Sequence, residues 1–238
     1  MRITLQPAFI LHHRPYRETS LLLDILTRDH GRVALIARGV RKNRSQTKAL
    51  LQPFHPLFVS WYGRTELMNL HIVEPQGIPI VLLEESLLGG FYLNELLMRL
   101  LQKQDPHPQL YTIYYDTLLE LERTPLQQKH LRLFEKKLLD ELGYGLQLHH
   151  SVPDGKAFEA HQFYRFYPET GFEIYKGEDN LSQGSLFTGK SLLALAAEQL
   201  NDADILHEIK RLMRMALGVL LGPQPLQSRR LFTGVSIE

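Results

Sequence analysis

The chain contains no cysteine. That absence excludes a disulfide framework, a cysteine-ligated zinc or iron–sulfur site, and a thiol nucleophile, and it fits a reducing cytoplasm. Long apolar runs are also missing. No window approaches eighteen consecutive apolar residues, so no membrane span is expected. The opening "MRITLQPAFILHHRPYRETS" has a short apolar patch broken by His12, His13 and Pro15, which is not a secretory signal. A soluble, cytoplasmic protein is the expectation. Signatures of a hydrolase, zinc protease or kinase are absent too, and with them any visible active site.

What is present is charge with an uneven distribution. The 238 residues carry a formal net charge of +1. Residues 1–80 hold eleven Lys/Arg against five Asp/Glu, whereas 81–238 hold sixteen against twenty-one. A basic module is thus joined to an acidic one, the pattern that points to a polyanion partner at one end. The charge concentrates in "ARGVRKNRSQTKALLQPF", with Arg38, Arg41, Lys42, Arg44 and Lys48 and no acidic residue.

The first eighty residues read as five short strands, "PAFILHH", "SLLLDILT", "GRVALIAR", "PLFVSWYG" and "ELMNLHIVE", bounded by glycine, proline or polar turns. Five strands are too few for a sandwich and suit a small barrel, closed or partly open, which removes exposed edges. A boundary is expected at "EPQGIPI", dividing 1–80 from 81–238. Beyond it the apolar period becomes helical in "LLGGFYLNELLMRLLQ", "LYTIYYDTLLELER" and "QQKHLRLFEKKLLDELG". Residues 146–185 read as irregular, with one hairpin turning at "PETG", and two further helices follow. The expected class is multidomain α+β: an N-terminal barrel, then an α-helical domain with a small irregular insertion.

Three patterns compete for function. "GSLFTGKS", Gly184–Ser191, matches the phosphate-loop pattern G-x-x-x-x-G-K-[ST]. Its context is wrong, because the preceding "YKGEDNLSQ" is polar and no buried strand feeds the loop. Thr188 as a helix N-cap is the plainer account, and a nucleotide-binding enzyme is kept as the rival. Adjacent histidines, His12–His13 and His149–His150, point to opposite faces if extended and do not chelate by themselves. No metal or cofactor is expected.

The basic loop is the third pattern. Single-stranded nucleic acid needs cations along its phosphates and flat side chains under its bases. Arg38, Arg41, Lys42, Arg44 and Lys48, with Arg14, Arg17 and Arg32 nearby, offer the first; Trp61, Tyr62 and Tyr16 offer the second. A solvated loop on a small barrel is the alternative at this point.

The segment "YRETSLLLDILTRDHGRVALIARGVRKNRSQTKALLQPF" resembles the N-terminal barrel of the RecO family of bacterial recombination and repair mediators. "LRLFEKKLLDELGYGLQL", "FTGKSLLAL" and "PLQSRRLF" are similar to family segments in the same order, so the resemblance covers nearly the whole chain. It implies an OB-fold domain followed by a helical domain. It also implies a non-enzymatic, nucleoid-associated protein that binds single- and double-stranded DNA, anneals complementary strands and, with RecR, helps load the RecA recombinase. The four-cysteine zinc site of some relatives is not carried over, since 148–175 has no cysteine. A further implied partner is the acidic C-terminal tail of single-stranded-DNA-binding protein, which needs an apolar pocket rimmed by cations. Arg132 and Lys136 on one helix, and Lys210, Arg211 and Arg214 on the last, are the candidates. A monomer is expected. A protein-interaction scaffold without a direct DNA role is the remaining alternative.

Overall fold

The computed structural model describes residues 2–41, 46–124, 128–152, 154–177 and 183–228. The chain divides into two compact units, residues 1–126 with 225–238, and residues 127–224.

The first unit is built on a closed five-stranded barrel. Its strands are β1 (Arg2–Tyr16), β2 (Ser20–Thr27), β3 (Gly31–Ala37), β4 (Leu57–Tyr62) and β5 (Leu67–Pro75), in the order β1-β2-β3-β5-β4, and β4 closes onto β1. The β3–β5 pairing is parallel and the other ladders are antiparallel. This is the topology of an OB-fold. Closure removes the edge strands that a five-stranded sheet would otherwise expose. A short helix, α1 (Gln46–Leu50), lies between β3 and β4.

Strict alternation in β3 sends Val33, Leu35 and Ala37 inward and Arg32, Ala34 and Ile36 outward. The inward residues join Ile10, Leu23, Ile25, Val59, Trp61 and Met68 in one core. Alternation fails in β1, where Pro7–Leu11 are all buried. Both faces are covered there. Ala8 and Ile10 point into the barrel, while Phe9 meets Tyr111, Tyr114 and Tyr115 of α3 (Pro108–Arg123) at centroid distances of 5.5, 5.2 and 5.4 Å. From α2 (Glu84–Leu100), the amide of Asn94 donates to the Leu11 carbonyl at 2.9 Å and its oxygen accepts from Tyr114 at 2.5 Å. A buried amide with both ends satisfied fixes how the two helices sit on β1. Residues 225–228 join this unit: the Glu95 carboxylate accepts from the amides of Gln227 and Ser228 and from the Ser228 hydroxyl.

The second unit contains α4 (Gln128–Glu141), β6 (Phe163–Tyr167), β7 (Gly171–Ile174), β8 (Leu186–Thr188), α5 (Gly189–Ala196) and α6 (Ala203–Leu221). β6 and β7 form the hairpin expected at "PETG", with Tyr167 opposite Gly171. β8 adds a third strand, in the order β7-β6-β8. The expectation of an irregular segment up to 185 did not include that sheet, because three residues between a polar stretch and a glycine carry no readable period. Phe158, Tyr164, Phe166, Phe172 and Phe187 pack as an aromatic cluster around it. Among the described residues no helix is long and apolar enough to cross a membrane.

Candidate nucleic-acid interface

The β1–β2 turn and the segment leaving β3 meet at one end of the barrel. Arg17 sits in the turn at φ 52°. Arg41 ties the two segments together: its backbone amide donates to the Thr19 carbonyl at 2.9 Å, and its guanidinium donates to the Arg17 carbonyl at 3.0 Å. The Arg17 guanidinium lies 5.3 Å from the Tyr16 ring centroid. Arg38 donates to the Asn69 side chain at 3.1 Å. Arg17, Arg38 and Arg41 are all exposed. Tyr16, Arg17, Thr19, Ser20, Ile36 and Arg38 line an open groove here of about 720 Å³, together with one carboxylate, that of Glu18. Guanidinium groups bordering an open groove are suited to phosphate, which they engage by two parallel hydrogen bonds.

Register extends this patch around the barrel. Arg14 is opposite Leu22, Leu22 opposite Ile36, Ile36 opposite Asn69, Asn69 opposite Tyr62, and Tyr62 opposite Arg2. Residues directly opposite one another share a face, and none of the six is buried. One outward row therefore carries arginine at both ends and tyrosine within it. In an OB-fold the β2–β3 face and the β1–β2 and β4–β5 loops are the nucleic-acid surface. Here those loops present exposed Arg17 and Arg64.

Similarity to known proteins gives the family. The model "Recombination protein O N terminal" matches residues 1–78, and "Recombination protein O C terminal" matches 85–230. The chain is 48% identical to "DNA repair protein RecO" of Coxiella burnetii (strain RSA 331 / Henzerling II) over 230 residues, 97% of this chain and 98% of that protein. Its identity is 45% to the protein of that name from Nitrosococcus oceani, covering 97% and 93% of the two chains. For that of Haemophilus influenzae (strain 86-028NP) it is 41%, covering 98% and 97%. The chain belongs to the RecO family.

Placed on this family member's barrel, the expected DNA-binding residues separate. Arg14, Arg38 and Arg41 are exposed on or beside the outward row, and Lys48 is exposed on α1. Lys42 and Arg44 lie outside the described residues. Arg32 is engaged internally: it pairs with Asp24 at 3.1 Å and donates to the Leu101 carbonyl at 3.2 Å. Trp61 requires a correction. It is fully buried in the barrel core and presents no face to a base. Alternation decides this, since β4 sends Val59 and Trp61 inward and leaves Tyr62 47% exposed. Arg2 and Arg64 were missed, although the turn "GRTE" between two strands could have identified Arg64.

The cations of the second unit are mostly committed. Arg132, expected among the cations that meet the acidic tail, has a side chain only 7% exposed and pairs with buried Glu135 at 2.8 Å. Its place in the core follows from α4's apolar stripe, Leu131, Phe134 and Leu138, on which it sits. Lys136 pairs with Glu198 at 2.8 Å, and this hydrogen bond holds the Glu198 carboxyl below its ordinary value. Arg211 lies over the Phe187 ring at 4.8 Å and donates to the Leu186 carbonyl. Lys210 and Arg214 are exposed on α6.

At the phosphate-loop pattern Gly184–Ser191, the amides of Thr188, Gly189 and Lys190 already have partners within the chain. The amide of Gly189 donates to the Gln162 carbonyl and that of Lys190 to the Ala160 carbonyl. Thr188 donates its amide to Glu208 and its hydroxyl lies 3.0 Å from the same carboxylate, while Thr188 Oγ1 caps Ser191. A carboxylate already occupies the anion position at this helix start. A Cβ on Gly189 would lie 2.0 Å from the Glu159 carbonyl oxygen, so the glycine serves chain packing. Lys190 pairs outward with Asp202 at 3.0 Å. Among the described residues no group of three or more His, Cys, Asp or Glu is placed to hold a metal ion.

Proposed function

We propose that this chain is a non-enzymatic DNA-binding mediator of recombinational repair. In this reading it binds single- and double-stranded DNA, anneals complementary strands and helps load recombinase onto strands coated by single-stranded-DNA-binding protein. The observation that carries the reading is the groove lined by Arg17 and Arg38 on an OB-fold barrel, with Arg41 bonded to the Arg17 carbonyl beside it. Membership of a family whose curated relatives are named for DNA repair supports it. Neutralising phosphates lets two strands approach, which is what annealing requires, and the bound counterions are released. RecR and the acidic tail of single-stranded-DNA-binding protein are the proposed partners, the tail meeting the exposed Lys210 and Arg214 of α6. A monomer in the cytoplasm, associated with the nucleoid, completes the proposal.

The test separates the groove from the turn that builds it. Arg41 holds Thr19 and Arg17 in place, so the cleaner double variant is Arg17→Ala with Arg38→Ala. Anisotropy of a labelled single-stranded oligonucleotide, titrated across salt, should show weaker binding. The slope of log K against log salt should fall by about 0.7 for each phosphate contact removed. Annealing of complementary strands should slow in parallel. Unchanged affinity and slope would remove this surface from the function.

A further inference from the structure

Tyr62 ends β4 on the outer face of the barrel, 47% exposed, where its chain neighbour Trp61 is fully buried. Its ring is braced. His71 of β5 stands nearly perpendicular to it, at 80° with centroids 6.0 Å apart. Arg2 of β1 donates to His71 Nε2 at 3.1 Å. A guanidinium has only donors, so Nε2 accepts and the imidazole proton is on Nδ1. The imidazole is therefore oriented from one side by a cation while it supports the tyrosine from the other. Across the ladder Tyr62 is opposite Asn69, which accepts from Arg38. The sequence of groups along the surface is Arg38, Asn69, Tyr62, His71, Arg2: a cation, an aromatic platform and a second cation. Arg38 directly follows β3, which lies two ladders from the β4 that carries Tyr62.

Phosphate contacts by themselves do not favour a single strand, because a duplex displays the same groups at higher charge density. A ring on the surface does distinguish them. A duplex keeps its bases stacked on each other, whereas an open strand can lay a base on the ring. We propose that Tyr62, held by His71 and Arg2, is a base-stacking subsite that makes this protein bind single-stranded DNA more tightly than duplex, while the arginine groove binds either form. This rests on the DNA-binding reading above and assigns strand discrimination within it to one residue.

The experiment compares wild type, Tyr62→Ala and Tyr62→Phe on three probes: an oligo-dT strand, a duplex of equal length, and an abasic strand with the same backbone. Trp61, the single tryptophan and wholly buried, reports by its emission that each variant keeps the barrel. Tyr62→Ala should lose about five- to a hundredfold in affinity for oligo-dT, the worth of one base stack. Its duplex affinity and salt slope should stay at wild-type values, Tyr62→Phe should restore oligo-dT binding, and wild type should bind the abasic strand no tighter than Tyr62→Ala binds it. Equal losses on strand and duplex, or no loss on oligo-dT while the arginine variant is impaired, would overturn the subsite and leave the mediator reading standing. A wild-type protein that binds none of the three probes would overturn both.

Discussion

Two adjacent aromatic residues part company at the end of β4. Trp61 fills the barrel and Tyr62 stands on its surface, because successive side chains of a strand leave on opposite faces. Alternation does not separate Arg32 from Arg38, which share the outward parity of β3. Arg32 is outward-facing, yet the segment after α2 returns to β3, where Gln104 donates to the Arg32 carbonyl and the Arg32 side chain reaches Leu101. Gly31 makes that return possible. It has φ 63°, and a Cβ there would lie 2.0 Å from the Asp105 carbonyl oxygen. Gly31→Ala therefore meets a left-handed backbone and a backbone atom that has little room to move. The expected loss is about 2 kcal/mol or more in urea unfolding, within the usual range for strain at a special backbone position. A variant as stable as wild type would mean that the 101–105 segment shifts freely.

Short elements owe their form to partners distant in the chain. β8 exists because Tyr164 and Phe187 are ladder partners in a cluster of aromatic rings, not because "LFT" prefers to be extended. α5 begins where Thr188 accepts from Ser191 at 3.2 Å and Glu208 of α6 takes the Thr188 amide. Thr188→Ala should lower stability by about 1 kcal/mol in denaturant unfolding, the ordinary worth of an N-cap. Lys190→Ala, which removes only an exposed pair with Asp202, should change it little. Titration of ATP with magnesium should show no saturable binding for wild type or either variant. Saturable binding abolished by Lys190→Ala would reinstate a nucleotide site.

The barrel and the helices α2 and α3 belong to one compact unit. The boundary of the barrel strands, at Pro75, is therefore not the boundary of the folding unit. A fragment ending at residue 80 leaves Phe9 without Tyr111, Tyr114 and Tyr115, and the Leu11 carbonyl without Asn94. Residues 1–124 retain these contacts and should unfold cooperatively with blue-shifted Trp61 emission. Residues 1–80 should expose an apolar face and aggregate or unfold at lower denaturant. Equal stability of the two fragments would show that the helices are dispensable to the barrel.

Local pattern was sufficient for much of this protein. Five short strands bounded by turns, an excess of arginine in the first eighty residues, and a helical period thereafter are all written in consecutive residues, so the barrel, the helices and the basic first module were legible. What lay beyond reach depends on contacts between distant segments. Whether an arginine is exposed, as Arg38 is, or already paired, as Arg32 and Arg132 are, turns on Asp24, Leu101 and Glu135 meeting it in space. The outward row from Arg14 to Arg2 is a product of ladder register, and register is set by closure of the barrel. Chain order determined the charge and the strands; the closed barrel decided which cations, and which one of two neighbouring aromatic rings, reach its surface.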